Sequence, residues 1–213
     1  MKSFLIIGMG SFGHHLCRAF ASMKCEIMIV DKNSEALEDM LSYVVSAKVA
    51  DCTKEEVVRS FDIPSFSACF VCIGSDFESS LEITDILKEL GAKKVFSKAD
   101  KDIQAKFLLK SGADSIIYPE KETAKNLAMQ EISDNIFECI TLANDYLICE
   151  IAPNKKWIGK TPVDISMRQK YGLTLLASKD GEKVSPVVGS HFVFRENEHI
   201  IVMGHADDIK KIL

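Results

Sequence analysis

The stretch Gly8-Met9-Gly10-Ser11-Phe12-Gly13 lies directly behind the apolar run Phe4-Leu5-Ile6-Ile7, and a second apolar run, Ile27-Met28-Ile29-Val30, ends at Asp31. Glycines at these three spacings, between a strand and a helix, form the fingerprint of a dinucleotide-binding turn. Gly8 permits the tight turn, Gly10 lets a phosphate reach the backbone, and Gly13 lets the helix lie close on the strand. Ser11 and Phe12 open that helix, whose first amides would hold phosphate oxygens. Asp31 would accept hydrogen bonds from ribose hydroxyls and repel a 2′-phosphate, so NADP is disfavoured.

Up to about residue 118 the chain alternates short apolar runs with amphipathic segments, the pattern of a parallel sheet with helices on both faces. Strands are expected at 4–7, 26–30, 46–50, 67–73, 94–97 and 115–118. Thr53-x-x-Glu56 and Ser75-x-x-Glu78 read as capping boxes, while Gly91 and Gly112 read as helix stops. Ligands of such sheets bind beyond the carboxyl ends of the strands, which draws attention to Asp51, Cys52, Gly74, Ser75, Asp76, Lys98 and Glu120. Asp51 and Asp76 serve equally well as helix caps, and Lys98 as a solvated charge.

Pro119 closes the sixth strand, and residues 120–134, with Leu127 and Ile132, read as a connecting helix. Beyond it the chain is β-rich. A strand is expected at 145–151, and Thr161, Pro162 and Gly172 mark the start and stop of a short helix. Segments 173–178 and 183–187 flank an Asp180-Gly181 hairpin, and a strand at 199–203 leads into a terminal helix at 207–213. The fold class is therefore α/β: a Rossmann-like doubly wound parallel sheet over residues 1–119, a connector over 120–134, and a smaller α+β domain over 135–213.

The formal net charge of −5 argues against nucleic-acid binding, and no run is long enough for a membrane helix or a signal sequence, so a cytoplasmic protein is expected. Seven scattered cysteines suit a reducing compartment rather than a disulfide scaffold. Cys69 and Cys72 have C-x-x-C spacing, but on a strand they point to opposite faces. The five histidines lack metal-ligand spacing, and Gly159-Lys160-Thr161 is no P-loop, because Asn154 stands where that motif needs its first glycine.

The nucleotide fold ending in Tyr118-Pro119-Glu120-Lys121, the connecting helix, Arg168-x-x-Tyr171-Gly172 and the closing Ile200-Ile201-Val202-Met203-Gly204 resemble one family over nearly the whole chain. It is the cytosolic regulatory subunit of Trk/Ktr-type bacterial potassium uptake systems, with N- and C-terminal RCK domains (regulator of potassium conductance, also called KTN). The resemblance implies a ligand-gated ring with no catalytic residues. Subunits dimerise and build an octamer beneath a separate integral-membrane channel subunit, with ATP, ADP or NAD(H) in the cleft.

By the same resemblance Gly8, Gly10, Ser11, Phe12 and Gly13 face the phosphates, Asp31 the ribose, and Lys32, Asp51 and Cys52 the adenosine side. Ile73, Gly74 and Lys98 line the remaining cleft. Glu120 matches an acid that helps hold a divalent or sodium cation at the dimer interface; a plain Glu in the first turn of a helix reads equally well. Ser11 replaces an arginine common in Ktr-type members that contacts the terminal phosphates, which weakens the case for ATP over ADP or NAD. Arg168, Leu175 and Pro186, with Val187 nearby, match a cyclic di-AMP site of some members. Two other readings stand beside this one: an NAD-dependent oxidoreductase, and the same sensor attached to a different cation transporter.

Overall fold

The apolar runs of the first half become strands because nearly every residue in them has an apolar neighbour on both sides of a sheet. In the computed structural model, which describes residues 2–131, 135–142, 145–186 and 191–212, six parallel strands pair in the order β3-β2-β1-β4-β5-β6. They are β1 Ser3–Ile7, β2 Glu26–Asp31, β3 Ser46–Val49, β4 Ala68–Val71, β5 Val95–Lys98 and β6 Ser115–Ile117. The intervening helices are α1 Ser11–Ser22, α2 Glu35–Glu38, α3 Glu55–Arg59, α4 Phe77–Glu89 and α5 Asp102–Lys110, followed by α6 Pro119–Glu131. This is the doubly wound sheet read from the sequence, with its topological switch between β1 and β4.

Alternation along the strands divides two cores. Leu5, Ile7, Val30, Cys69 and Val71 pack with Ile83 and Leu87 of α4. Phe4, Ile6, Ile27, Ile29, Phe70 and Cys72 pack on the other face with Cys17 of α1, Leu37 and Met40. Burying each Leu or Ile contributes about 1.5–3 kcal/mol. Cys69 and Cys72 fall in different cores, and burial raises both thiols to about 12, so neither is a reactive thiolate.

Two helix starts differ from expectation. Asp51 captures Thr53 through both the backbone N–H (3.1 Å) and the hydroxyl (2.8 Å), so the threonine is unavailable as a cap and α3 begins after an uncapped Lys54. At α4 the cap is Asp76, whose carboxylate accepts from the Ser79 N–H at 3.2 Å and the Ser79 hydroxyl at 2.6 Å. Gly91 and Gly112 do end helical runs, with φ of 84° and 98°.

Contacts divide the chain into Met1–Lys121 and Glu122–Leu213, with the boundary inside α6. Ile132 and the rest of 132–134, together with Val187 and Leu213, lie outside the described residues. The second unit holds an antiparallel sheet in the order β10-β9-β11-β8-β7, built from β7 Ile136–Thr141, β8 Tyr146–Ile151, β9 Thr174–Asp180, β10 Lys183–Pro186 and β11 His199–His205. The short helices α7 Met167–Tyr171 and α8 Ala206–Lys210 complete a core of Trp157, Phe194, Ile151, Leu173 and Val202.

β7 is absent from the sequence reading because a bulge between Ile136 and Glu138 breaks its alternation. The expected helix start at Thr161 is also displaced. Thr161 Oγ1 accepts the Asp164 N–H at 3.2 Å and Asp164 Oδ2 the Thr161 N–H at 2.8 Å, the reciprocal bonds of a capped start, but Ser166, at φ 51°, is left-handed and breaks the run, so α7 begins at Met167. The cysteines are a third difference. Cys139 and Cys149, facing each other on β7 and β8, form a disulfide, while the other five are free.

On the face of this sheet away from its core, Glu150 is 8% exposed and ties three strands together. Its Oε2 accepts from Lys179 Nζ at 2.6 Å and its Oε1 pairs with His199 Nδ1 at 2.7 Å. Burial pushes the Glu150 carboxyl up, but the hydrogen bonds from Lys179 and His199 outweigh it and hold the group below its ordinary 4.5. A depressed carboxyl contributes stability above its unfolded pKa and loses it as the pH falls through the folded one. Glu150→Gln is therefore expected to melt several degrees below wild type at about pH 7, with the difference shrinking once the pH drops below the ordinary value of 4.5, as followed by thermal denaturation across pH.

Candidate functional site

The fingerprint loop is shaped by close backbone contacts. Gly8 sits at φ +93°, and a Cβ there would lie 2.8 Å from Ile73 Cγ1 and 3.2 Å from the Cys72 carbonyl carbon. Gly13 is more confined: a Cβ would lie 2.3 Å from the Gly8 carbonyl oxygen, so only glycine lets α1 lie this close to the loop. Gly10 is the opposite case, with nothing within 4 Å of its Cβ position, which opens onto a cleft. As the N-cap of α1 it supplies no side chain, and the first turn of α1 contains no acid. The helix thus begins with amides that its own side chains leave for a ligand.

Asp31 holds this loop from the neighbouring strand. Its Oδ2 accepts the Met9 N–H at 2.7 Å and its Oδ1 the Asn33 N–H at 2.8 Å, which leaves further lone pairs on both oxygens. The cleft measures about 440 Å3, within the range of small-molecule sites, and lies at the switch point. Gly8, Gly10, Asp31, Lys32, Asp51, Cys52, Ile73 and Gly74, all anticipated from sequence, line it.

Three carboxylates and one ammonium set its charge. Lys32 is the one Lys or Arg among the described lining residues, set against Asp31, Asp51 and Asp76. Thr53 holds Asp51 below the ordinary carboxylate value, and Ser79 does the same for Asp76; in both cases Lys32 adds a smaller pull. Cys52 is pushed up to about 12, chiefly by burial and further by Asp51 and Asp31. Such a field disfavours an added 2′-phosphate.

Other anticipated residues take different places. Ser11 and Phe12 stand in the first turn of α1, and Phe12 packs against the core. Lys98 and Glu120 line a separate cavity of about 210 Å3 with Asp100, Tyr118 and Lys121. There Lys98 Nζ lies 2.7 Å from Glu120 Oε1 and 3.3 Å from Asp100 Oδ1. Partial burial opposes the Lys98 charge, but Glu120 and Asp100 outweigh it and raise its pKa, while Lys98 lowers that of Glu120. Gly74, on the first cleft, lies beside this second cavity, since a Cβ on it would come within 2.9 Å of Lys98 Nζ. In the second unit Arg168 is exposed on α7, Leu175 packs partly against the core from β9, and Pro186 is exposed on β10.

Met9, Asn33, Thr53 and Ser79 were missed. Their contributions are a backbone N–H or a bond to a neighbouring aspartate, and the only signal for them is proximity to Asp31, Asp51 and Asp76.

A parallel sheet in this order with a glycine loop at its switch point, joined to a small antiparallel unit, defines a Rossmann-like domain carrying an appended module. Residues 4–119 match the TrkA-N domain and residues 147–213 the TrkA-C domain. The chain is 34% identical over 210 residues to the Ktr system potassium uptake protein A of Bacillus subtilis (strain 168), covering 99% of this chain and 95% of that protein. It is 32% identical over 212 residues to the Ktr system potassium uptake protein C of the same organism, with the same coverage. The chain therefore belongs to the TrkA-N/TrkA-C family and is homologous to the Ktr potassium uptake proteins. Its fold is also that of the GsuK channel bound to NAD, with a TM-score of 0.68 at 13% identity over 97% of this chain and 38% of that one.

Proposed function

We propose that this chain is the nucleotide-sensing regulatory subunit of a potassium uptake system, acting on the cytoplasmic side of a membrane channel subunit without turning its ligand over. The observation that carries this reading is the bare N-terminus of α1 at Gly10, open to a cleft that Asp31 also lines. Phosphates fit the amides and dipole of α1, and ribose hydroxyls fit the remaining lone pairs of Asp31. An adenine nucleotide without a 2′-phosphate suits both; NAD(H) and ADP need less positive charge than ATP, which matches a cleft lined by Lys32 alone among basic residues. No helix among the described residues is long and apolar enough to cross a membrane, so conduction is assigned to a partner.

A nucleotide that binds two shapes of an assembly with different affinity shifts their populations, and a ring of these subunits, built from dimers to an octamer, passes that shift to the channel. Glu120 supplies a single carboxylate, already paired with Lys98, and no group of three His, Cys, Asp or Glu among the described residues is placed to hold a metal. A cation at Glu120 therefore needs oxygens from the nucleotide or a second subunit. Cyclic di-AMP at the second unit rests on Arg168, whose guanidinium suits a phosphodiester.

The test is rubidium uptake into vesicles holding a Ktr-type channel subunit, with this protein and ATP, ADP, NADH or cyclic di-AMP added. Uptake is expected to change severalfold with at least one adenine nucleotide. Uptake indifferent to all of them, or steady consumption of NADH with a keto acid, would overturn the proposal.

A further inference from the structure

We propose that Cys139 and Cys149 form a redox-modifiable pair that fastens or releases β7, a property separate from nucleotide sensing. The two residues are direct cross-strand partners in the β7–β8 hairpin, with Cα atoms 4.1 Å apart, and their sulfurs lie in the second core. They are 10 residues apart in sequence, and the ladder from Ile136↔Ile151 to Thr141↔Leu147 already closes that loop. By chain entropy a crosslink over so short a loop stabilises less than one over a long loop, and its main local effect is to fasten the edge strand to β8. Cys17, Cys52, Cys69 and Cys72, also buried, are free.

The position of β7 explains what the bond controls. Among the described residues it is an edge strand paired to β8, and it is the first strand after α6. Besides the ladder and the disulfide, it is tied across the sheet by Phe137, the residue at the bulge, whose ring stacks on His199 at 3.8 Å. His199 in turn pairs with Glu150, so Phe137 lies over the Glu150–His199–Lys179 cluster. Reduction breaks the covalent tie between the edge strand and β8, and the separated thiols leave β7 held by its ladder and by Phe137. Reduction therefore loosens β7, withdraws Phe137 from His199 and uncovers the cluster.

The exchange is balanced with a low-molecular-weight thiol. When the edge strand opens locally, one thiolate attacks the sulfur of Cys139, breaking the S–S bond and releasing Cys149 as a thiolate that takes up a proton. A second thiolate attacks the mixed disulfide, freeing Cys139 and leaving the small thiol as its own disulfide. The pair gains two electrons and two protons.

The experiment equilibrates the full chain in glutathione buffers of graded redox ratio, traps thiols by alkylation after an acid quench, and follows backbone hydrogen exchange in the same samples by mass spectrometry. The oxidised fraction at Cys139 and Cys149 is expected to pass reversibly from nearly complete to nearly absent across the series. Exchange over 136–141 is expected to rise roughly tenfold on reduction, with peptides of β1 to β6 unchanged. Cys139→Ser should show the fast exchange without reductant, and reduction of the wild type gives the same reading should that variant not fold. A pair that never forms the bond, a bond that survives the most reducing buffer, or redox change without faster exchange in β7 would each overturn the proposal. None of these readouts involves a nucleotide, so failure here leaves the nucleotide site untouched.

Discussion

Gly10→Ala is expected to fold as wild type and to lose about 100-fold in affinity for adenine nucleotides. The backbone at Gly10, φ −72° and ψ −173°, is open to any residue, and the new methyl meets no heavy atom within 4 Å. Alanine is a poorer N-cap than glycine by a fraction of a kcal/mol, while the less flexible unfolded chain returns about as much, so the melting temperature should move by no more than about 2 °C. The methyl stands where a phosphate must approach the amides of α1. Displacing the phosphate lengthens two or three charge-assisted hydrogen bonds, which together are worth about 3 kcal/mol. Calorimetric titration and thermal unfolding of the same preparation check both halves. A variant that binds normally would show that phosphates do not sit at this helix start.

Gly13→Ala is expected to do the reverse, damaging the fold first. Its Cβ would lie 2.3 Å from the carbonyl oxygen of Gly8, a backbone atom that cannot rotate away. The clash is relieved only by lifting α1 from the loop, which opens the packing of Cys17 against Phe4 and Ile6. Overpacking of this kind costs about 3 kcal/mol, or roughly 10 °C in melting temperature, measured by scanning calorimetry. Nucleotide binding falls as well, because the amides at residues 11–13 move with the helix. The two variants differ by three positions in sequence, yet one separates binding from stability and the other does not.

The contrast between these glycines also shows how far the sequence could be read. Gly8, Gly13 and Asp31 were legible because each answers a backbone requirement that recurs wherever a strand turns into a helix over a phosphate. The central parallel strands were legible because Phe4-Leu5-Ile6-Ile7 and its counterparts in β2 and β4 are buried on both faces and need no partner to be recognised. β7 was not, because its bulge hides the alternation at Phe137, and with it went the disulfide, which exists only where Cys139 faces Cys149. Local geometry decided the helix starts: Thr53 turned to Asp51, against a capping pattern that fits the sequence equally well, and left-handed Ser166 cut short the turn that Thr161 caps. The pairing of Lys98 with Glu120 joins residues 22 positions apart and is invisible until β5 and the start of α6 are placed side by side.

The account stands on one claim, that the cleft between Gly10 and Asp31 takes an adenine nucleotide and that the protein answers by changing its assembly. The most direct test is calorimetric titration of nucleotide-free protein with NADH, ADP, ATP and NADPH, with particle size recorded on the same samples by light scattering. The account predicts one-to-one binding per chain at micromolar Kd or better for NADH or ADP, weaker binding of NADPH, and a ligand-dependent change in a multi-subunit particle. A monomer that binds none of the four, or one that prefers NADPH, would contradict it.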